Sequence, residues 1–331
     1  MDELGVTSTT SSPHEPKARF RPEELLVIAF TLWVIFSNLV IILAILRSEY
    51  RRKISFNLHV CNLCVAGLVM GVLVMPLLTE YRLRNQWIHD EQLCRIWLIA
   101  DMAVCTVSIL AIVAIIFDRF VLFSCPYFAE GACKYVMTSV LIMLTWAGGL
   151  GIIVPIYIYG ETGTGVNSAE GYCFLHLNKP FSLIIELAGY AVPAVISVGL
   201  LIATTITFFQ KRDELRDLEF SDEREHKGWQ VLMLWVICFS VLVMWFPFVL
   251  IHVLFFFLTS TSTLLDWLTF AMWLSYANSG INPLLWMITP KLRQSVKALF
   301  CCCRKHQRYE DNDFVFDEEA NSAMVEFQEK I

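Results

Sequence analysis

Hydrophobic positions gather along the chain into seven runs with almost no charge: Leu25 to Leu46, Phe56 to Leu78, Ile96 to Phe117, Val136 to Tyr159, Phe181 to Phe209, Val231 to Leu258 and Leu264 to Ile288. Each exceeds the roughly 20 residues that an α-helix needs to cross a hydrocarbon core about 30 Å thick. Backbone amides in lipid must be satisfied within the protein, and the runs are too long and too uniformly apolar for the alternating strands of a barrel. The pattern therefore predicts an all-α membrane protein, a seven-transmembrane-helix bundle. A basic amphipathic stretch, Pro290 to Phe300, follows the last run and predicts a short helix at the membrane face. Residues 1–24, rich in Ser, Thr and Pro, read as a disordered extracellular segment, 25–300 as the helical domain and 301–331 as a polar, acidic cytoplasmic tail.

Composition agrees. With 56% hydrophobic and 13% aromatic content over 331 residues, neither one large nor two ordinary soluble domains fits. All connections are short, the longest being 160–180 and 210–227, so function must lie in the bundle and its two rims. No cleavable signal peptide precedes Leu25, and the first helix is expected to act as its own insertion signal.

Lys and Arg set the expected orientation. One set of alternate connections holds Arg47, Arg51, Arg52, Lys53, Arg119, Lys134, Lys211, Arg212, Arg216, Arg224 and Lys227, with six more basic residues from Lys291 to Arg308 after the last span. The opposite set has only Arg82, Arg84, Arg95 and Lys179, with Lys17, Arg19 and Arg21 before the first span. The N-terminus is thus expected outside and the C-terminus in the cytoplasm, as for a multi-pass plasma-membrane protein. The net charge of −6 says little about partners, because much of the acid sits in the tail; no nucleic-acid partner is expected.

Cys61, Cys64, Cys105 and Cys238 lie in spans, and Cys125 and Cys133 in a cytoplasmic loop. Only Cys94 and Cys173 face the oxidising side, where a disulfide between them would persist. Cys301, Cys302 and Cys303 follow the amphipathic stretch; acylation would pin it to membrane lipid, the alternative being an unmodified cluster.

Ionisable groups within a span cost about 2.5 to 3.5 kcal/mol at mid-helix, so each one calls for a functional account. Besides His59 and His252, those well inside are Asp101 and Glu186, with Asp118 and Arg119 at the inner end of the third span. Asp101 and Arg119 stand 18 residues apart, five helical turns or about 27 Å along one face. Cys105, Ser108 and Ile109 share that face. An anion below the outer surface favours a cationic ligand; the alternative is an inward reach by Arg82, Arg84 or Arg95, because no other span contains a Lys or Arg.

These residues sit among motifs that resemble the rhodopsin-like G-protein-coupled receptors in all seven spans. Asn38 in Ser-Asn-Leu-Val-Ile, Trp87 seven residues before Cys94, Asp118-Arg119-Phe120, Trp146, Pro193, Trp245-Phe246-Pro247-Phe248 and Asn282-Pro283-Leu284-Leu285-Trp286 follow one another in order. The resemblance implies that a heterotrimeric G protein docks where the Asp118–Arg119 pair must open, with Pro193, Pro247, Asn282 and Pro283 in the switch. Within the family, Asp101 falls where biogenic-amine receptors hold the ligand ammonium, and Trp273 and Tyr276 match aromatics across from it. It therefore implies a small amine bound to Asp101, with the Tyr276 hydroxyl fixing the carboxylate. Trp245, Phe248, Trp273 and Tyr276 would wall the cation, each good contact worth about 0.5 to 2 kcal/mol.

Glu186, one turn from Tyr190 on the fifth span, suits a dibasic ligand; alternatively it is protonated, or turned to the loop or to His252. Ile185, Glu186 and Gly189 carry no hydroxyl, which argues against a catechol. Several positions depart from the family. Gly67 stands where an aspartate is usual, so the internal sodium site is expected to be lost although Asn38, Ser108, Asn278 and Asn282 remain. Leu201 and Trp286 replace tyrosines, and Lys227 stands where an acid often pairs with the third-helix arginine.

Enzymatic activity is not expected, since the seven histidines never take metal-ligand spacing. A retinal cofactor would need a lysine in the last span, and no cofactor is expected. The remaining alternative is a divergent rhodopsin-like receptor for a peptide or another cationic ligand that retains Asp101.

Overall fold

The computed structural model describes residues 22–47, 55–84, 86–125, 131–159, 161–164, 173–176, 179–211, 227–257 and 262–300. Residues 1–21, 301–331 with Cys301 to Cys303, and the side chain of Lys227 lie outside the described residues and side chains, whereas 22–24, expected to belong to the disordered segment, open the first helix.

Seven long helices account for the seven apolar runs. They are α1 (Pro22–Arg47), α2 (Ser55–Val69, Met70–Val74 and Met75–Arg84), α3 (Glu91–Ser124), α4 (Gly131–Tyr159), α5 (Lys179–Glu186, Leu187–Ala191 and Val192–Gln210), α6 (Lys227–Phe257) and α7 (Ser262–Trp286). The expected amphipathic helix follows as α8 (Pro290–Phe300). Helices α1 to α6 are each long and apolar enough to cross a membrane, and the 25 residues of α7 have the length for it.

The bundle is apolar outside, and its polar groups gather within a largely apolar core. Leu32, Phe36, Met143, Val195, Phe239 and Phe246 point outward, while Asn38, Asn62, Asn278, Asn282, Asp118 and Arg119 are buried. That inversion is expected where the outer solvent is hydrocarbon. Helix α3 is the axis: 67% of its spanning window is buried against 19% of that in α4, and it packs on α2, α4, α5 and α6. Its start is fixed by Asp90, whose carboxylate accepts from the Leu93 amide at 2.8 Å. Gly149 lets α4 approach closely, since a Cβ there would lie 2.7 Å from the Ala103 carbonyl oxygen.

Two helices widen into π turns, Met70–Val74 in α2 and Leu187–Ala191 in α5. Each lies just before a proline, Pro76 or Pro193, whose missing N–H disturbs the ladder upstream. In α2 the Val74 carbonyl accepts from Trp97 Nε1 at 3.1 Å, so the widened turn becomes a link to α3.

Where the sequence suggested only loop, a two-stranded antiparallel hairpin forms from β1 (Glu161–Thr164) and β2 (Cys173–His176). A disulfide joins Cys94 at the start of α3 to Cys173 of β2, as expected, and both strands pack against α3. Beside it Trp87 stacks on Trp97, ring centroids 5.2 Å apart, with the edge of Tyr81 against both.

Candidate functional site

Asp101 lies on α3 between the disulfide and the bundle centre. Its Oδ2 accepts from the Tyr276 hydroxyl of α7 at 2.8 Å, and its Oδ1 faces Cys105 Sγ, one turn on, at 3.5 Å. Among the described residues no Lys or Arg pairs with it. Arg84 is instead paired with Glu80 at 2.9 Å, and Arg95 donates to the Tyr157 carbonyl at 2.8 Å with its guanidinium over the Tyr157 ring. Neutral hydrogen-bond donors thus hold an acid that no Lys or Arg among the described residues pairs with. Trp273 meets the edge of Tyr276, with centroids 6.2 Å apart, and completes this half of the site.

The second half is built from α5 and α6. Tyr190 stacks on Trp245 at 5.8 Å, Trp245 meets Phe248 edge-on at 6.0 Å, and Phe248 meets the His252 ring at 4.4 Å. His252 Nδ1 stands 2.9 Å from Glu186 Oε1. Of the dispositions open for Glu186, the structure therefore shows the turn towards His252. The contact brings α5 and α6 together without an aligned hydrogen bond, because the ring nitrogen has no hydrogen-bond partner. Cys105 lies within electrostatic range of both Asp101 and Glu186, so the two acids flank one region of the bundle. Ring contacts thus lead from Trp273 through Tyr276 to Asp101, and from Tyr190 through Trp245, Phe248 and His252 to Glu186.

At the other end of α3, Arg119 is almost wholly buried, 1% exposed. Its Nε and one terminal nitrogen donate to Asp118 Oδ2 at 3.0 and 2.5 Å. The same terminal nitrogen donates to Ser55 Oγ at 2.9 Å, and the other to Gln230 Oε1 of α6 at 3.2 Å. Ser55 in turn donates to Asp118 at 3.2 Å. His59, fully buried, places Nε2 3.7 Å from Asp118 Oδ1, an electrostatic neighbour too far for a hydrogen bond. The sequence named Asp118 and Arg119, singled out His59 without a role, and gave no sign of Ser55 and Gln230. Small or neutral polar residues near a membrane edge carry no spacing signal, and only the buried histidine stood out. The helix-to-helix tie that Lys227 cannot make is made by Gln230, three residues further along α6.

Between the two ends, Gly67 faces Asn38, and a Cβ on the glycine would lie 2.7 Å from Asn38 Oδ1. Asn38 donates to the carbonyls of Val34 and Ser279 at 2.8 and 2.9 Å, Ser108 to Val104 at 2.9 Å, and Ser240 to Asn278 Oδ1 at 3.5 Å. Pro193 and Pro247 lie within α5 and α6; Asn282 and Pro283 lie near the end of α7, where the Asn282 Oδ1 is buried without a hydrogen-bond partner.

The family described as 7 transmembrane receptor (rhodopsin family) matches residues 37–286. The chain is 25% identical over 310 residues to 5-hydroxytryptamine receptor 4 of Cavia porcellus, covering 83% of this chain and 78% of that one. It is 25% identical over 288 residues to the histamine H2 receptor of Homo sapiens, covering 82% and 77%. A probable G-protein coupled receptor, No18, of Amphibalanus amphitrite is 28% identical over 194 residues, 58% of this chain and 50% of that one.

Proposed function

The chain belongs to the rhodopsin family of seven-transmembrane receptors, and on that premise we propose that it is activated by a small protonated amine held by Asp101 and signals to a heterotrimeric G protein. One observation carries the reading: the Asp101 carboxylate has Tyr276 and Cys105 as neutral partners and no cation among the described residues. An ammonium ion would complete it, and the Tyr276 hydroxyl already orients the oxygen that such a ligand would meet. Trp273 is placed to close over the ammonium, while Trp245 and Phe248 would receive the far end of the ligand. The names of two relatives, receptors for 5-hydroxytryptamine and for histamine, support an amine.

The N-terminus lies outside, the Asp101 end of the bundle opens to the exterior, and the Arg119 end faces the G protein. Docking draws Arg119 away from Asp118, Ser55 and Gln230, with bends near Pro193, Pro247 and Pro283 giving the helices room. Helix α8 lies on the inner leaflet with Arg293 and Lys297 exposed, and acylation of Cys301 to Cys303 would anchor it. Glu186 provides a second anionic point, so that a dibasic ligand would span from Asp101 to Glu186 and compete there with His252.

A panel of biogenic amines and diamines, scored as nucleotide exchange in membranes from cells that co-express the receptor and G proteins, tests the proposal. Replacing Asp101 with Asn leaves the cavity shape but removes the charge, and should weaken the activating amine by about 30-fold or more, corresponding to roughly 2 to 5 kcal/mol for a buried charge pair. Unchanged potency in Asp101→Asn would remove the amine assignment.

A further inference from the structure

Ser55 and Phe56 are neighbours at the start of α2, and both attend Arg119. Ser55 Oγ accepts from the guanidinium, while the Phe56 ring lies 5.3 Å from Arg119 Cζ. On its other side Phe56 meets Trp286, with centroids 5.7 Å apart and planes at 83°. Trp286 is the last residue of α7 and fully buried, in the same apolar cluster as Leu292 and Val296 of α8. A continuous row, Arg119 to Phe56 to Trp286, therefore joins α3, α2 and α7 at the end of the bundle where Arg119 is held.

Resting on the reading that Arg119 leaves Asp118 when the receptor switches, we propose that Trp286 is a positioning residue of the switch, holding Phe56 against the Arg119 guanidinium so that movement of α7 and release of Arg119 occur together. A guanidinium is weakly hydrated and gains from an aromatic face, so the ring is a real share of its hold. Phe56 keeps that place only while its far side is filled, and Trp286 fills it. A second observation shows that this arrangement has something to gain by moving. The Trp286 indole N–H is buried without a hydrogen-bond partner, and so are Asn282 Oδ1 on the preceding turn and Ser295 Oγ on α8. No side-chain hydrogen bond holds the Trp286 indole, and its unsatisfied donor favours a displacement that brings an acceptor within reach.

Because Arg119 also holds α6 through Gln230, release of the guanidinium is read as α6 moving outward. Spin labels at two exposed positions, Tyr135→Cys on α4 and Leu232→Cys on α6, report that distance by pulsed dipolar spectroscopy. The full chain in detergent is used, with Cys125, Cys133 and Cys301 to Cys303 replaced by serine. Phe56→Leu and Trp286→Leu should each raise the long-distance population severalfold, and the double variant no further than the larger single one. Trp286→Phe, which keeps an aromatic edge against Phe56, should stay close to the parent. Unmoved distances in both single variants, or effects that simply add, would overturn the bridge. Arg119→Ala separates the two levels. If it leaves the distances at their parent values, Arg119 is not the lock and the underlying reading fails; if it opens the bundle while Phe56→Leu and Trp286→Leu do not, only the bridge is wrong.

Discussion

Two acids within the bundle have opposite partners. Asp101 receives hydroxyl and thiol protons and, among the described residues, no Lys or Arg, whereas Glu186 stands 2.9 Å from the His252 imidazole. A monoamine needs only the first, and a diamine reaching Glu186 must displace His252. Glu186→Gln should therefore weaken a diamine by about tenfold or more, the scale of a partly exposed charge-assisted contact of roughly 1.5 to 3 kcal/mol, while a monoamine keeps its potency within a few-fold. Concentration–response curves for matched mono- and diamines decide it, and an equal shift for both would show that Glu186 serves the helix pair alone. Asp101 was legible in the chain, because a carboxylate among apolar residues is conspicuous and its face follows from the helical repeat; Tyr276 was reached only through the resemblance to the amine receptors. The His252 contact was legible only as one of several options. It depends on the rotation of α5 about its axis, and a π turn just after Glu186 alters that rotation in a way that a regular 3.6-residue count does not carry.

At the scale of the helices, prolines and glycines decide how elements meet. The π turns before Pro76 and Pro193 are local answers to a missing amide, and the first offers the Val74 carbonyl to Trp97. Gly149 sets the approach of α4 to α3. Gly149→Leu would force the helices apart against the Ala103 carbonyl, and overpacking of this kind costs about 1 to 3 kcal/mol. Thermal denaturation in detergent should show a clearly lowered Tm for Gly149→Leu, whereas Gly151→Leu, where an added Cβ meets nothing within 4 Å, should keep the parent value. Equal losses at the two positions would mean that close approach is not what Gly149 provides. The apolar runs announced the helices themselves. The hairpin over 160–180 was not announced, since four-residue strands tied to α3 through one disulfide leave no periodic signal in a short polar loop.

Switching belongs to the whole bundle. In the interior, where Gly67 stands in place of an acid, the Asn38 amide nitrogen and the Ser108 hydroxyl donate to backbone carbonyls, leaving only neutral oxygens. No carboxylate is present there to draw a monovalent cation from water, so agonist affinity should stay unchanged when sodium replaces an organic cation at constant ionic strength; radioligand competition measures this, and a clear sodium-dependent fall would contradict it. At the other end of α3, Asp118, Ser55, Gln230 and Phe56 surround a single guanidinium, the contacts proposed above to hold the resting state. Hydrophobic patterning alone determined the number of spans, their helical nature and the isolation of Asp101 among apolar residues of α3, because lipid leaves the backbone no other way to satisfy its amides. The packing of helix against helix decided the rest: which neutral groups flank Asp101, that Glu186 turns to His252, and that Ser55, Gln230 and Trp286 converge around Arg119. Those contacts join residues up to 175 positions apart, as in Asp101 with Tyr276, and the axial rotation of each helix that brings them together is set by side-chain interlocking across the whole bundle.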